Sequence, residues 1–400
     1  MSQHDLREHA RTAVTRRQDD VIALSHSLHA EPELAYEEHK SARKIADLVE
    51  RFGFDVRRGA YGLDTAFEAV AGSGDLVVAI TAEYDALPGI GHACGHNVNG
   101  AAAVTAALAL APLADDLGLT VKLLGTPAEE YGGGKVDLLD AGAFDDVAAA
   151  MMVHAAPTDG VGMTSLAIGS WKVSYTGRAA HAAAVPHRGI NAADAMLVAQ
   201  VAIGAYRQQM IPGGVVHGVV TGGGEAPNVI PAHVTAAYDC RAATADDLAE
   251  LQSRIRACFE AGALATGAEL ALEAVGNDYA DLRQDLAVAA LYRNAVTDLG
   301  RRIPDTADTM RAGSTDMGNV SHVVPTIHPS IGYDCGDTIM HNPEFTRYGT
   351  SAGADLAVLD GGLAMAWTTL ALATDETHRA SLLSRLAARR TPPRATPAAQ

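Results

Sequence analysis

The chain has 400 residues, of which 48% are hydrophobic and 20% charged, which is typical of a globular protein too long for one ordinary core, so two domains are expected. A formal net charge of −18 argues against nucleic acids and anionic membrane surfaces as partners, because both require basic patches. The charged N-terminus lacks the apolar segment of a signal peptide, and the most apolar run, residues 101–114, is shorter than the roughly 20 residues that span a membrane.

The first part of the chain alternates helical and strand patterns. A long amphipathic helix over residues 18–53, interrupted near Pro32, precedes a series of strands and helices. These are a strand at 76–85, a small-residue helix at 101–118, a strand at 120–130 and a strand at 147–157. This alternation predicts an α/β domain with a mainly parallel sheet that is covered on both faces.

The pattern changes near residue 168, where SWKVSYTGRAAHA alternates as a half-exposed strand does. The elements from there to residue 278 follow the order βαββαβ, which is typical of a ferredoxin-like α+β unit. We therefore predict a catalytic domain formed by residues 1–167 and 279–385, an inserted satellite domain at 168–278, and a disordered tail at 386–400.

Side chains that bind metals follow several of the predicted strands. Cys94 and His96 lie in the glycine-rich turn GIGHACGHNVNG, Glu129 and Glu130 follow the second strand, and His154 follows the third. His341 lies in a loop of the returning segment. Because functional groups gather where the strands of open α/β sheets end, these residues predict a site for zinc or another late divalent ion.

Each of these features also has an ordinary structural explanation. A histidine after a strand is often only hydrogen-bonded, a Glu-Glu pair is often a solvated face, and a buried cysteine often packs as a small hydrophobic residue. The repetition of one theme at independent strand ends favours the metal site.

The four cysteines, at positions 94, 240, 258 and 335, show no C-x-x-C spacing, which predicts a reducing, cytoplasmic location.

A set of motifs in a fixed order resembles one known family. The motifs are HAEPELAYEE, HACGHN, PAEEYGGGK, VHAAP, GRAAHAAAVPHRGINA, NVIP with a downstream DCR, and HNPEF, and they cover roughly residues 20 to 375. Together they resemble the dinuclear-metal amidohydrolases that include aminoacylases, carboxypeptidase G and indole-acetyl-amino-acid hydrolases. The spellings GHACGHN, GGGK and GSTDMGNVSHVVP are most similar to the branch of p-aminobenzoyl-glutamate hydrolase and β-alanyl-lysine dipeptidase.

The resemblance implies a metal centre with two divalent ions. It assigns five side chains as the ligands, with Cys94 as the bridge: Cys94, His96, Glu130, His154 and His341. Zinc is the expected metal, with manganese or cobalt as alternatives.

The resemblance also implies the catalytic machinery. Glu129 would be the general base, Asp85 would orient a metal ligand, and His181 would stabilise the oxyanion at the active site of a partner subunit. The expected assembly is a homodimer through the satellite domain.

Three further residues are expected to contact a small amide or dipeptide substrate. The resemblance implies this role for Asn228 and for Arg241, whose fork of donors suits a carboxylate. Ser314, in a glycine-preceded turn, is a candidate to donate a hydrogen bond to a bound ligand.

The chain departs from the family pattern at one position, and several alternatives stay open. Many members of the family carry a metal histidine two residues before the equivalent of Asp85, where this chain has Glu83. The branch with a cysteine ligand also lacks that histidine, so the departure supports placement in that branch more than a loss of activity. The favoured activity is hydrolysis of an N-acyl amino acid, dipeptide or aminobenzoyl-amino-acid amide by a metal-activated water. The alternatives are a dipeptidase or carboxypeptidase of the same fold, a catalytically inactive metal-stabilised binding protein, and a hydrolase in which Cys94 is the nucleophile.

Overall fold

The computed structural model describes residues 1–304 and 313–390. The helices are α1 (Gln3–Thr15), α2 (Gln18–Ala30), α3 (His39–Arg51), α4 (His96–Leu110), α5 (Gly134–Asp140), α6 (Ala192–Tyr206), α7 (Ala245–Thr266), α8 (Leu286–Asp298), α9 (Met317–Val323), α10 (Pro343–Thr346), α11 (Ala352–Thr374) and α12 (Glu376–Arg390). The strands are β1 (Asp55–Arg58), β2 (Phe67–Ala71), β3 (Leu76–Ala82), β4 (Leu119–Gly125), β5 (Ala149–Met151), β6 (His154–Ala156), β7 (Ala167–Thr176), β8 (Val215–Gly222), β9 (His233–Ala242), β10 (Glu269–Ala274), β11 (Thr326–Ile327) and β12 (Ser330–Gly332).

The described residues form two compact units. The first comprises residues 1–164, 282–304 and 319–390, and the second comprises 165–281 with 313–318. The segment 313–318 thus groups with the second unit, whereas the sequence pattern assigns it to the catalytic domain. The backbone N–H of Leu166 donates to the carbonyl of Gly313 at 3.0 Å, which ties this segment to the start of the second unit.

The first unit is built on a six-stranded sheet in the order β1-β2-β4-β3-β5-β11. Its neighbouring strands β4, β3, β5 and β11 run parallel, and β1 and β2 add an antiparallel edge. All residues of β3 and β4 are buried, as expected for strands that are covered on both faces. The predicted strand at 147–157 is in fact two short strands, because β5 pairs with β3 whereas β6 pairs with β12 in a separate two-stranded sheet.

Helix α4 lies in the core of the first unit, and every one of its residues is buried. Its sequence, HNVNGAAAVTAALAL, is rich in alanine, so its backbone can approach its neighbours closely. Gly100 shows how close this approach is, because a Cβ at that position would lie 2.8 Å from the carbonyl oxygen of Glu83. This packing brings the start of α4 against the end of β3.

The second unit has its own core and follows the predicted βαββαβ order. Its four-stranded antiparallel sheet has the order β10-β7-β9-β8, which is the strand order of a ferredoxin-like fold. Helices α6 and α7 contribute Ala195, Ala199, Leu251 and Phe259 to this core. The predicted fold class, an α/β catalytic domain with an inserted α+β domain, is confirmed.

The C-terminal prediction needs a correction. The sequence pattern places residues 386–390 in a disordered tail, but they form the end of α12, in which Leu386 is only 5% exposed and packs into the core. Residues 391–400 lie outside the described part of the chain. Within that part, one helix, α11, is long and apolar enough to cross a membrane, but 83% of its most apolar window is buried inside the protein, as in a core helix.

Candidate metal centre and catalytic site

The polar residues of the site follow the carboxyl ends of adjacent parallel strands. Glu83 and Asp85 come directly after β3, and Glu129 and Glu130 follow β4. His154 begins β6, shortly after β5. Because β4, β3 and β5 are parallel neighbours, their carboxyl ends meet at one edge of the sheet and these side chains converge there.

The glycine-rich turn brings Cys94 and His96 to the same edge. Gly95, between them, has φ +79° and forms the N-cap of α4. A Cβ at this position would lie 2.4 Å from the Cβ of Ala155, so only glycine fits. His96 is therefore the first residue of α4, and both side chains are buried.

The five predicted ligands come together in the first unit. The Sγ of Cys94 lies 3.7 Å from Nε2 of His154 and 3.4 Å from Nε2 of His341. The same His341 nitrogen lies 3.4 Å from Oε2 of Glu130. Two ligands that bind one ion at about 2.0–2.3 Å with tetrahedral angles lie roughly 3.3–3.8 Å apart. The observed spacings match this requirement.

Cys94 belongs to two groups of potential ligands. One group is Cys94, His96 and His154, and the other is Cys94, Glu130 and His341; within each group the ligand atoms lie within 4.8 Å of one another. A thiolate common to both groups has the position that a ligand bridging two ions needs.

Two buried atoms of the site have no hydrogen-bond partner among the described residues. They are Nε2 of His96 and Oε1 of Glu130, which lie 4.0 Å apart. Leaving a buried polar atom unpaired costs about 1–3 kcal/mol, and more when the group is charged. A cation between the two atoms would satisfy both. The set of sulfur, imidazole and carboxylate donors suits zinc or a similar late divalent ion.

Asp85 organises the surroundings of these ligands. Its Oδ1 accepts a hydrogen bond from Nδ1 of His96 at 3.1 Å, and its Oδ2 accepts from the backbone N–H of Glu130 at 2.9 Å. The first bond leaves Nε2 of His96 as the atom that faces the other donors. A carboxylate behind a ligating histidine fixes its ring orientation and tautomer. The geometry therefore fits the predicted orienting role.

Protons compete with cations at this site. Burial raises the pKa of the Cys94 thiol well above its usual 9.0, and the charge of Glu130 adds to this effect. Burial lowers the pKa of His96, but the neighbouring Asp85 outweighs it, so that the pKa of His96 lies well above 6.5. Both groups must lose a proton before they can bind a metal, so metal binding at this site releases protons.

Comparisons with known proteins identify the family. Residues 166–266 match the family model described as a peptidase dimerisation domain. The Xaa-Arg dipeptidase of Mus musculus is 37% identical over 382 residues, which cover 91% of this chain and 88% of that protein. The chain belongs to the M20 metallopeptidase family.

Two further M20 relatives agree with this assignment. One of the subunits of the p-aminobenzoyl-glutamate hydrolase of Escherichia coli is 35% identical over 258 residues, covering 59% of this chain and 53% of that protein. The solved structure of a dinuclear metal-binding M20 peptidase from Bacillus subtilis superposes with a TM-score of 0.62 at 22% identity, covering 86% of this chain and 98% of the other. The predicted family and the predicted class of enzyme, a hydrolase of amide or peptide bonds, are confirmed.

Glu129 lies among the predicted ligands of this M20 chain without being one of the five. It is only 6% exposed, and its Oε2 lies 3.8 Å from Nε2 of His96. The preceding residue, Ala128, has φ +60°, and His341 has φ +64°. Both are non-glycine residues in the left-handed region of the Ramachandran plot. Backbone strain of this kind is typical of functional sites.

The second unit carries the other predicted residues, as two pairs. The exposed loops of His181 and Asn228 lie side by side, because Ala182 N–H donates to the carbonyl of Asn228 at 2.9 Å. Arg241, near the end of β9, donates from Nη1 to Oγ of Ser314 at 3.2 Å.

The tautomer of His181 follows from its local contacts. Nδ1 accepts hydrogen bonds from the backbone N–H groups of Ala183 and Ala184 at 3.3 Å and 3.1 Å. The neutral ring therefore carries its proton on Nε2, which can act as a donor.

Sequence reasoning missed several residues that contact the site. Glu38 is the last residue of HAEPELAYEE, a motif from which no site residue was predicted. Its Oε1 accepts a hydrogen bond from the backbone N–H of Ala128 at 2.8 Å. His328 is buried and stacks on His154 with ring centroids 5.5 Å apart, and burial lowers the pKa of His328 to about 3. Glu83 forms a buried ion pair with Lys135. In the sequence, this pair could have been predicted only from the lysine of GGGK and from Glu83, which stands where many members of the family have a histidine.

Proposed function

We propose that this M20 chain is a dinuclear metallohydrolase that cleaves the amide bond of a dipeptide or N-acyl amino acid. The observation that carries the proposal is the meeting of Cys94, His96, Glu130, His154 and His341 in two groups of ligand atoms that share Cys94. Zinc is the metal that we propose, because the sulfur and imidazole donors suit it, with manganese and cobalt as alternatives.

The bound ions would lower the pKa of water towards ~7 and polarise the scissile carbonyl. Glu129, buried beside the ligands, accepts the proton of the attacking water and passes it to the leaving amine. Asp85 holds the ring of His96 so that Nε2 remains available for the metal. Nε2–H of His181 donates to the oxyanion, a contribution typically worth ~10²–10³ in turnover.

The substrate contacts belong to the proposal as well. Arg241 binds the free carboxylate of the substrate through its guanidinium, and Ser314 and Asn228 contribute further hydrogen bonds. The similarity to an Xaa-Arg dipeptidase over 91% of this chain makes dipeptides with a C-terminal arginine the first class to examine. N-acyl amino acids and p-aminobenzoyl-glutamate come next.

A homodimer is proposed on the basis of the second unit. Strand β8 is an edge strand, and Val219 and Val220 on it are 61% and 40% exposed. On α6, Leu197 and Val201 are 58% and 63% exposed. An edge strand and a helix that both expose apolar side chains suit burial against a second copy of the chain, in agreement with the matched dimerisation domain. In this dimer His181 would act on the partner's site.

A cytoplasmic location is the last part of the proposal. Cys94, Cys240, Cys258 and Cys335 are all free thiols, and a reducing compartment would keep Cys94 available as a ligand.

One experiment tests the central claim. The protein is dialysed against a chelator, reloaded separately with zinc, manganese or cobalt, and assayed on Xaa-Arg and β-alanyl dipeptides, N-acetyl amino acids and p-aminobenzoyl-glutamate. We expect chelation to abolish hydrolysis and one of the metals to restore it. A protein that binds two ions and is stabilised by them, yet hydrolyses none of these amides, would be a metal-stabilised binding protein instead.

A further inference from the structure

Glu83 and Lys135 form an ion pair that is completely excluded from solvent. Nζ of Lys135 lies 2.6 Å from Oε1 of Glu83, and both side chains have zero exposure. Each ion loses several kcal/mol of hydration on burial, so such a pair persists only with good geometry and additional hydrogen bonds. The position of Glu83, two residues before Asp85 at the end of β3, suggests a role beyond folding.

The second oxygen of Glu83 faces the candidate metal ligands. Its Oε2 lies 3.5 Å from Nε2 of His96 and 4.0 Å from Nε2 of His154. In the neutral, metal-binding form of each ring, neither nitrogen carries the proton, because the Nδ1–H is already donated, to Asp85 and to the carbonyl of Ala155 respectively. An anionic oxygen and two bare nitrogens therefore face one another at distances close to the roughly 3.3–3.8 Å between tetrahedral ligands of one ion.

Asn99 fixes the orientation of this carboxylate. Its Oδ1 accepts a hydrogen bond from the N–H of Ala155 at 2.7 Å, so its amide cannot be flipped and Nδ2 is the atom that faces Glu83. Nδ2 donates to Oε2 of Glu83 at 3.2 Å. Lys135 binds one oxygen of this carboxylate and Asn99 binds the other, so the carboxylate is held in one rotamer. A lone pair of Oε2 remains available on the side that faces the imidazoles of His96 and His154.

We propose that Glu83 is a further ligand of the metal centre on the side of His96 and His154, and that Lys135 is the positioning residue that holds its carboxylate there. The inference rests on the proposed two-metal centre. Asp85, Glu129 and Glu130 already place three carboxyl groups in this buried region. Lys135 compensates the charge that a fourth carboxylate adds, which explains why a lysine follows the glycines of PAEEYGGGK.

The test removes the pair without leaving a lone buried charge. Glu83→Gln/Lys135→Met deletes both charges, whereas either single substitution leaves one partner unpaired and risks a folding defect. Bound metal is counted by mass spectrometry of the purified protein, dissociation constants are measured by chelator competition, and the visible spectrum of the cobalt-loaded protein reports the number of ligands. Arg301 forms a largely buried cluster with Asp159, its Nη2 2.8 Å from Oδ1, and with Asp360, its Nη1 3.0 Å from Oδ2. Removing all three charges, in Asp159→Asn/Arg301→Met/Asp360→Asn, supplies the control variant.

We expect the wild type to bind two ions and the Glu83/Lys135 double variant to hold one of them roughly 100-fold more weakly, with an altered cobalt spectrum. The control variant should lose stability but keep both affinities and the spectrum. If the Glu83/Lys135 variant binds both ions as tightly as the wild type, with the same spectrum, Glu83 is only structural and the inference fails. A wild type that binds no metal would overturn the proposed function itself.

Discussion

The carboxylate of Glu38 accepts a hydrogen bond from the backbone N–H of Ala128 at 2.8 Å, across 90 positions of the chain. Ala128 has φ +60°, a conformation that costs alanine about 1–2 kcal/mol, and it directly precedes Glu129 and Glu130. A second hydrogen bond holds the same loop, since Asp85 accepts from the backbone N–H of Glu130 at 2.9 Å. Glu38 is therefore a positioning residue for the proposed base and for one proposed ligand.

The first prediction concerns the loss of this acceptor. Glu38→Ala leaves the Ala128 N–H unpaired, which should lower the free energy of unfolding by about 1–3 kcal/mol and weaken metal binding, because Glu130 is less well held. Denaturant unfolding and chelator competition measure these two effects. Glu38→Gln keeps an acceptor oxygen and should bind metal nearly as the wild type does. Equal metal affinities of the alanine variant and of Glu37→Ala, an exposed neighbour, would contradict the positioning role.

The second prediction is a pH dependence from the same residue. Burial, with a contribution from the charge of Asp85, raises the pKa of Glu38 from 4.5 to about 7. Between these values the folded protein retains a proton that the unfolded chain has lost, so this group's contribution to stability is complete below about pH 4.5 and disappears as the pH rises through about 7.

Glu38→Gln removes this contribution. The free energy of unfolding of the variant, relative to the wild type, should therefore rise by up to about 3 kcal/mol between pH 4.5 and 8, at about 1.4 kcal/mol for each pKa unit. Urea unfolding at several pH values measures the difference. Glu37→Gln should show no such trend, and parallel curves for Glu38→Gln and the wild type would refute the assignment.

The third prediction separates the two adjacent glutamates. Glu129→Gln should abolish nearly all turnover with both ions still bound, because an amide cannot accept the proton of water. Glu130→Gln should instead reduce the amount of bound metal. Turnover and metal content are measured on the same preparations. Normal turnover in Glu129→Gln would remove the general base from the mechanism and favour Cys94 as a nucleophile.

The fourth prediction concerns His181. His181→Ala should lower turnover by about 10²–10³-fold and leave the metal content unchanged, because in the proposed mechanism the side chain donates to the oxyanion and does not bind metal. His187→Ala, in the same exposed loop, is the matched control and should remain active.

Mixed dimers test whether His181 acts on the partner's site. When His181→Ala and Glu129→Gln chains are exchanged in equal amounts, half of the dimers are mixed and each mixed dimer has one complete site. Activity should recover to about a quarter of that of the wild type. If exchange is complete and no activity returns, His181 serves the site of its own chain.

Local features of the sequence determined the outline of the molecule. Hydrophobic periodicity predicted the parallel sheet and the inserted βαββαβ unit, because burial on one or both faces imposes a residue pattern within each element. The turn around Cys94 and His96 could be predicted as well, because the positive φ of Gly95 is a property of the local backbone that favours glycine. The order of the motifs indicated which distant side chains to consider together.

The partners of buried side chains were decided only by the tertiary structure. The pairing of Glu83 with Lys135, of Glu38 with Ala128 and of His328 with His154 joins segments that are far apart in the chain. Even where a motif such as GGGK marks one residue, its partner cannot be identified locally, because an exposed glutamate and a glutamate that is stabilised in the core by a lysine look alike in sequence. The cost of burying an unpaired charge selects the partner, and that cost arises only when the strands and helices have packed around it.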